Sequence, residues 1–210
     1  MKQETGNNIP VDNKKMSIQL VLNGHLFSQT ELKPADPQYQ SVSVEIVTSK
    51  CVLVPKPIFK PDSADALLRL NGIYPDPQET IINAQPADSD IVAVMAVPVG
   101  LPEAVAAKYG SRAEFTSPLL RPAPKDNPAV WCLVTAGLAF IKVWNRGLRF
   151  AEVVPCATTD DLLYCLSVLD ASFHLDDYTI VLGGNTAKEA AKIVKKHFKR
   201  VVCLSLIHIS

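Results

Sequence analysis

Between residues 129 and 155 three apolar runs follow one another with almost nothing between them. They span 130–135, 138–144 and 148–154, and only Ala136-Gly137 and Asn145-Arg146-Gly147 separate them. Connections this short join antiparallel neighbours, because a parallel partner needs a crossover of about a dozen residues or more. The stretch therefore reads as a three-stranded meander. A helix follows over 158–173. Thr158 and Asp161 have the spacing of a capping box, and Leu162, Leu166, Leu169 and Phe173 form one apolar stripe. A strand at 178–182 ends in Gly183-Gly184. Thr186 and Glu189 then mark a second helix with Ala187, Ala190, Ala191, Val194 and Phe198 on one face. A last strand begins at 201–203. The order is βββαβαβ, the pattern of a mixed sheet with helices laid on it.

The first half reads in a related order. A strand at 17–22 meets Asn23-Gly24, a strong hairpin signal, and 26–30 returns. Residues 41–47 alternate Val42, Val44 and Ile46 with Ser43 and Glu45, as a half-buried strand does, and 51–54 continues or pairs with it. Pro61 and Asp62 or Ser63 start a short helix with Ala64, Leu67 and Leu68 on one face. Strands are expected at 80–83 and 91–97, the second apolar throughout as a strand buried on both faces would be. Pro102 opens a helix over 103–108, and 113–116 is a short strand. Four prolines between 118 and 128 mark a boundary between halves. The opening hairpins also match: residues 20–27 and 133–140 share four of eight positions when aligned. Together with the element order, this suggests a duplicated unit.

Composition narrows the function classes. The chain has 210 residues, and its 21 basic and 21 acidic side chains cancel. Nucleic-acid binding draws most of its affinity from phosphate contacts and favours a basic excess, so no nucleic-acid partner is expected. No apolar run reaches the roughly 18 residues that cross a bilayer, and the polar start has no signal-peptide core. A cytoplasmic location is expected. The five cysteines, an odd number without paired spacing, read as buried free thiols.

A βββαβαβα unit is the plan of the ribonuclease-H-like fold, and two in tandem are the plan of the actin-like ATPases. The chain resembles a Bacteroidetes family without assigned function in which that fold is recognised. The resemblance rests on SIQLVLNGHLFS near the start, VPKPIF, PEAVAAKYG with the following SPLL, and LRFAEVVPCATTDDLLYCLSVLD. It implies an α/β fold of two such subdomains; with the polar start read as a disordered lead-in at 1–15 and the prolines as a boundary at 122–128, the first subdomain is expected at 16–121 and a second, incomplete one at 129–203. Residues 204–210 read LSLIHIS, the translation of a sequencing-library adapter in one frame, so the natural gene is expected to run on past Cys203. The other reading is a natural terminal strand. His208 is set aside with this segment.

Actin-like ATPases place an aspartate two residues before the turn glycine of each opening hairpin, where the carboxylates organise Mg²⁺ and the attacking water. Here those positions are Leu22 and Thr135, and neither strand carries an acidic residue. The expectation is a protein without the usual catalytic carboxylates that acts through a protein partner. The alternative is a nucleotide switch or ATPase using replacement residues. Gly183 and Gly184 are its candidate binding residues and ATP its ligand, because the resemblance places adenosine against a glycine pair after this strand and the next helix presents an electropositive N-terminus. The same glycines also serve as a plain strand-to-helix turn. Asn23 reads mainly as a turn residue. Asp160 and Asp161 read as dipole complements rather than a metal pair. Lys188, Lys192, Lys195, Lys196, Lys199 and Arg200 read as a solvated face. His25, His174 and His197 have no evident catalytic partner.

Overall fold

The computed structural model describes residues 15–22, 32, 38–87, 89–122 and 127–204. The second half forms one five-stranded sheet from β7 (Ala129–Thr135), β8 (Leu138–Trp144), β9 (Leu148–Pro155), β10 (Thr179–Gly184) and β11 (Val201–Cys203), in the order β11-β10-β7-β8-β9. β7, β8 and β9 are antiparallel neighbours, while β10 lies parallel to both β7 and β11. This is the ribonuclease-H-like arrangement expected of a βββαβαβ unit. The two-residue turn works because Ala136 and Gly137 both take positive φ, 51° and 73°.

Helix α3 (Thr159–Phe173) starts at the expected capping box, with Leu162, Leu166 and Leu169 buried. Full burial of each such leucine contributes about 1.5–3 kcal/mol. Helix α4 (Ala187–Val194) buries Ala187, Ala190, Ala191 and Val194, as its stripe requires. Its expected capping box does not form: Thr186 sits at φ −98°, ψ 7° and its side chain caps nothing. That conformation lies outside the extended region in which an N-cap hydroxyl reaches back to the first turn.

Side chains alternate across the sheet. Val130, Cys132, Ile141, Ile180 and Leu182 face α3 and α4. Trp131, Leu133, Phe140 and Val181 face the first half and share one core with it. The hydrophobic core is thus continuous across the Pro-rich segment.

The first half departs from a simple copy of the second. β1 (Lys15–Val21) and β2 (Ser41–Val47) are parallel, and with β6 (Ala113–Thr116) they form the sheet β1-β2-β6. The returning strand at 26–30, the Asn23-Gly24 turn and His25 lie outside the described residues. The alternation in β2 is as expected, with Val42, Val44 and Ile46 fully buried. β3 (Cys51–Pro55) neither continues nor pairs with β2. It joins β5 (Ile91–Pro98) and β4 (Glu79–Ala84) in an antiparallel sheet of order β3-β5-β4. Thr48 to Lys50 carry the chain from one sheet to the other, and the Lys50 amide donates to Thr48 Oγ1. β5 is the central strand, buried on both faces. Helix α1 (Ala64–Leu70) buries Ala64 and Leu68 against this second sheet, and α2 (Leu101–Tyr109) buries Leu101, Val105 and Tyr109 in the shared core.

The cysteines are free, and three of them are buried, but Cys165 is half-exposed and Cys203 exposed. Cys165 sits beside the buried stripe of α3, and Cys203 lies in β11, which among the described residues is an edge strand paired on one side. Among the described residues no helix is long and apolar enough to cross a membrane.

Candidate functional site

The C-terminal ends of β7 and β10 meet where the sheet turns into α4. Gly183 pairs with Leu133 and Gly184 with Val134, so the glycine pair lies beside the strand end that carries Thr135. In open α/β sheets, ligands bind in crevices outside the carboxyl ends of strands. The structure therefore brings together Thr135, Gly183, Gly184 and the uncapped first turn of α4.

The two glycines differ. Gly184 has φ +106°, and a β-carbon there would stand 1.9 Å from the Val134 carbonyl oxygen. Its smallness is demanded by the neighbouring backbone. A β-carbon on Gly183 would meet the Leu133 methyl Cδ1 at 3.3 Å, a contact a side chain can relieve.

Leu22 is 8% exposed and belongs to the shared core, with its amide donating to the Val47 carbonyl at 2.9 Å. An apolar, core-packed side chain thus occupies the position two residues before Gly24. Thr135, two residues before Gly137, is half-buried at the end of β7.

Other predicted residues have plain structural roles. Asp161 accepts from the Thr158 amide at 2.8 Å, the Ala157 amide at 3.0 Å and Thr158 Oγ1 at 2.9 Å. The Thr158 backbone bond leads in holding its carboxyl below the usual range. The basic residues of 188–200 are exposed, and two of them tie back to the short turn before β10: Lys199 pairs with Asp176 at 3.2 Å, and Arg200 donates to the Asp177 carbonyl. His174 closes α3 in the left-handed conformation, and His197 is exposed. Among the described residues no three His, Cys, Asp or Glu side chains converge as a metal site requires. An open groove of 330 Å³ lies between β3 and β9, walled by Leu53, Pro55, Ile91, Leu148 and Phe150 with Arg149 at its side; it includes none of the predicted residues.

One notable side chain escapes the sequence reading. Lys142, in the middle of β8, is 1% exposed. Its Nζ lies 4.5 Å from the centre of the Trp131 ring, its cross-strand partner, and donates to the Arg121 carbonyl. The Arg121 guanidinium makes a two-pronged pair with Glu45 of β2, at 2.8 and 2.7 Å. Desolvation, with the nearby Arg121 charge adding to it, brings the Lys142 amine down to about 7. The signal in the sequence is a lone lysine at a core-facing position of an apolar strand, LAFIKVW.

No match is found among curated proteins. Solved structures show the fold. A Bacteroides thetaiotaomicron protein with actin-like ATPase fold and unknown function superposes with a TM-score of 0.74 at 14% identity, over 96% of this chain and 94% of that one. The cytoplasmic domain of EpsL, an inner-membrane component of the Vibrio cholerae type II secretion system, matches at a TM-score of 0.40 and 14% identity over 81% of each chain. A family model described as "Protein of unknown function (DUF3822)" matches residues 4–201, and with nearly its whole length covered the chain belongs to that family.

Proposed function

We propose that this is an actin-like-fold protein of two subdomains, 16–121 and 129–203, that does not hydrolyse nucleotide and acts in the cytoplasm through a protein partner. The burial of Leu22 carries this reading. A leucine packed in the core offers no ligand to Mg²⁺, and the phosphoryl-transfer logic of the fold depends on carboxylates at that place. Thr135 leaves the second place without one as well. A surface for a partner is consistent with Tyr164 and Val168, one turn apart on α3 and 72% and 50% exposed. The test is ATP hydrolysis by the purified protein with Mg²⁺. Hydrolysis that disappears on a Gly183 or Thr135 substitution overturns the reading, and a rate equal to buffer supports it.

A second reading has one specific observation in its favour. The first turn of α4 has no side-chain cap, and it begins beside Gly183 and Gly184 at the carboxyl ends of two parallel strands. Free amides at a helix start attract phosphate. On this reading the protein binds ATP as a switch. Bound ligand stabilises the folded state, so a rise in Tm with millimolar ATP and Mg²⁺ supports binding and an unchanged Tm removes it.

A further inference from the structure

Lys142 stands where the second-half sheet rests on the first half. It shares a strand face with Phe140 and is paired across the strands with Trp131, and both of these belong to the core shared by the two halves. An ammonium group carries three donors and accepts nothing. Among the described residues Lys142 has one oxygen partner, the Arg121 carbonyl. Among the described residues no carboxylate pairs with it, since Glu45 is committed to Arg121. Among the described residues the charged groups around it are few. Arg121, from the turn before the Pro-rich segment, opposes its charge, and Glu45 of β2 offsets Arg121. Ala151 of β9 is its other cross-strand neighbour and carries no charge, and β7 presents the Trp131 ring. Glu152, next along β9, is placed toward Cys165 of α3 on the opposite face. Such a pocket suits a neutral amine better than an ammonium.

We propose that Lys142 is a proton-operated latch: the closed contact between the five-stranded sheet and the first half holds its amine neutral, and proton uptake favours an opening that brings the ammonium to water. Arg121 makes the latch effective. Its carbonyl binds the amine from β8 while its guanidinium grips β2, so one residue fastens both sheets at the start of the Pro-rich segment. The ring of Trp131 favours the cation and softens the effect without supplying the missing oxygen partners.

The direction follows from linkage. The closed state releases the proton at about 7, and a solvated lysine holds it to about 10.5. Opening therefore takes up a proton between these values. The opening constant rises as pH falls through that window, by at most about tenfold per pH unit, and levels off below about 7.

Two measurements on the whole chain test this. In lysine-¹⁵N NMR, one amine should titrate near 7 and vanish from the spectrum of Lys142→Met; titration of every amine near 10 overturns the proposal. In native-state hydrogen exchange between pH 7 and 9, corrected for intrinsic exchange, protection in β7, β8, β1 and β2 should fall toward pH 7 by more than tenfold. Protection in α3 should hold. The pH response should flatten in Lys142→Met, persist in Glu45→Gln, and be replaced in Lys142→Arg by an open-like state at every pH. The same response in Lys142→Met as in the wild type, or an equal loss of protection across all elements, overturns the latch. The NMR titration needs no variant to fold.

Discussion

Gly184 approaches Val134 so closely that a single added β-carbon would stand 1.9 Å from the Val134 carbonyl oxygen. The obstacle is backbone, and Gly184 also holds φ +106°, so neither partner can yield cheaply. Gly184→Ala is expected to cost more than about 2 kcal/mol, read as a lowered urea midpoint. The cost is independent of any ligand. Gly183→Ala meets only the Leu133 methyl at 3.3 Å and is expected to fold nearly as well as the parent. Gly183 is therefore the cleaner probe for nucleotide: if ATP raises the parent Tm, Gly183→Ala should lose that rise while keeping its own melt.

Thr158 and Asp161 cap α3 reciprocally, with the Asp161 amide donating to Thr158 Oγ1 at 3.2 Å. Thr158→Ala should lower stability by about 1 kcal/mol. The pH response has a definite sign. The Asp161 carboxyl is held below its ordinary value, chiefly by the Thr158 amide. Its stabilising effect is present above the unfolded carboxyl range near 4 and is lost as pH falls through the lower folded value. A Tm series from pH 6 to pH 2 should show a smaller acid decline in Asp161→Asn than in the parent, starting from a lower Tm.

The legible parts of this chain are those set by local chemistry. The meander follows from turns too short to do anything else, and α3 follows from a hydroxyl and a carboxylate three residues apart. The parallel pairing of β1 with β2 is not local, because it joins strands well apart in the chain and depends on which sheet receives β3. Nothing in the apolar run of 51–54 distinguishes a partner for β2 from a partner for β5. That neither Leu22 nor Thr135 is a carboxylate is read directly from the sequence. The burial of Lys142 is not, because one lysine in a strand becomes remarkable in energy only when both sheet faces are known to be covered.

Thiol chemistry should rank the cysteines by access. Cys203 is exposed and should react first with a disulfide reagent. Cys165 is half-exposed, and desolvation leads in raising its thiol, so it should react slowly. Cys156 is pushed up to about 11, mainly by burial. Burial raises Cys51 to about 12 against its hydrogen bond with Ser117, and raises Cys132 further. Titration at pH 8 should show one fast thiol of the five, with the three buried ones appearing only in denaturant. Three fast thiols would contradict the packing of α3 on the sheet.

Aspartate substitutions separate Leu22 from Thr135. Leu22 is 8% exposed inside the shared core, and an aspartate there would replace packed methyl groups with a charge lacking a partner. Leu22→Asp should cost roughly 3–5 kcal/mol and flatten the cooperative melt. Thr135 is half-buried at the end of β7, next to the exposed Ala136-Gly137 turn. Thr135→Asp should fold within about 1 kcal/mol of the parent, since its charge can reach water. Neither variant is expected to hydrolyse ATP. If Thr135→Asp alone gained Mg²⁺-dependent turnover, the crevice beside Gly183 and Gly184 would already hold nucleotide in a reactive pose, and the non-hydrolysing reading would give way to the nucleotide switch.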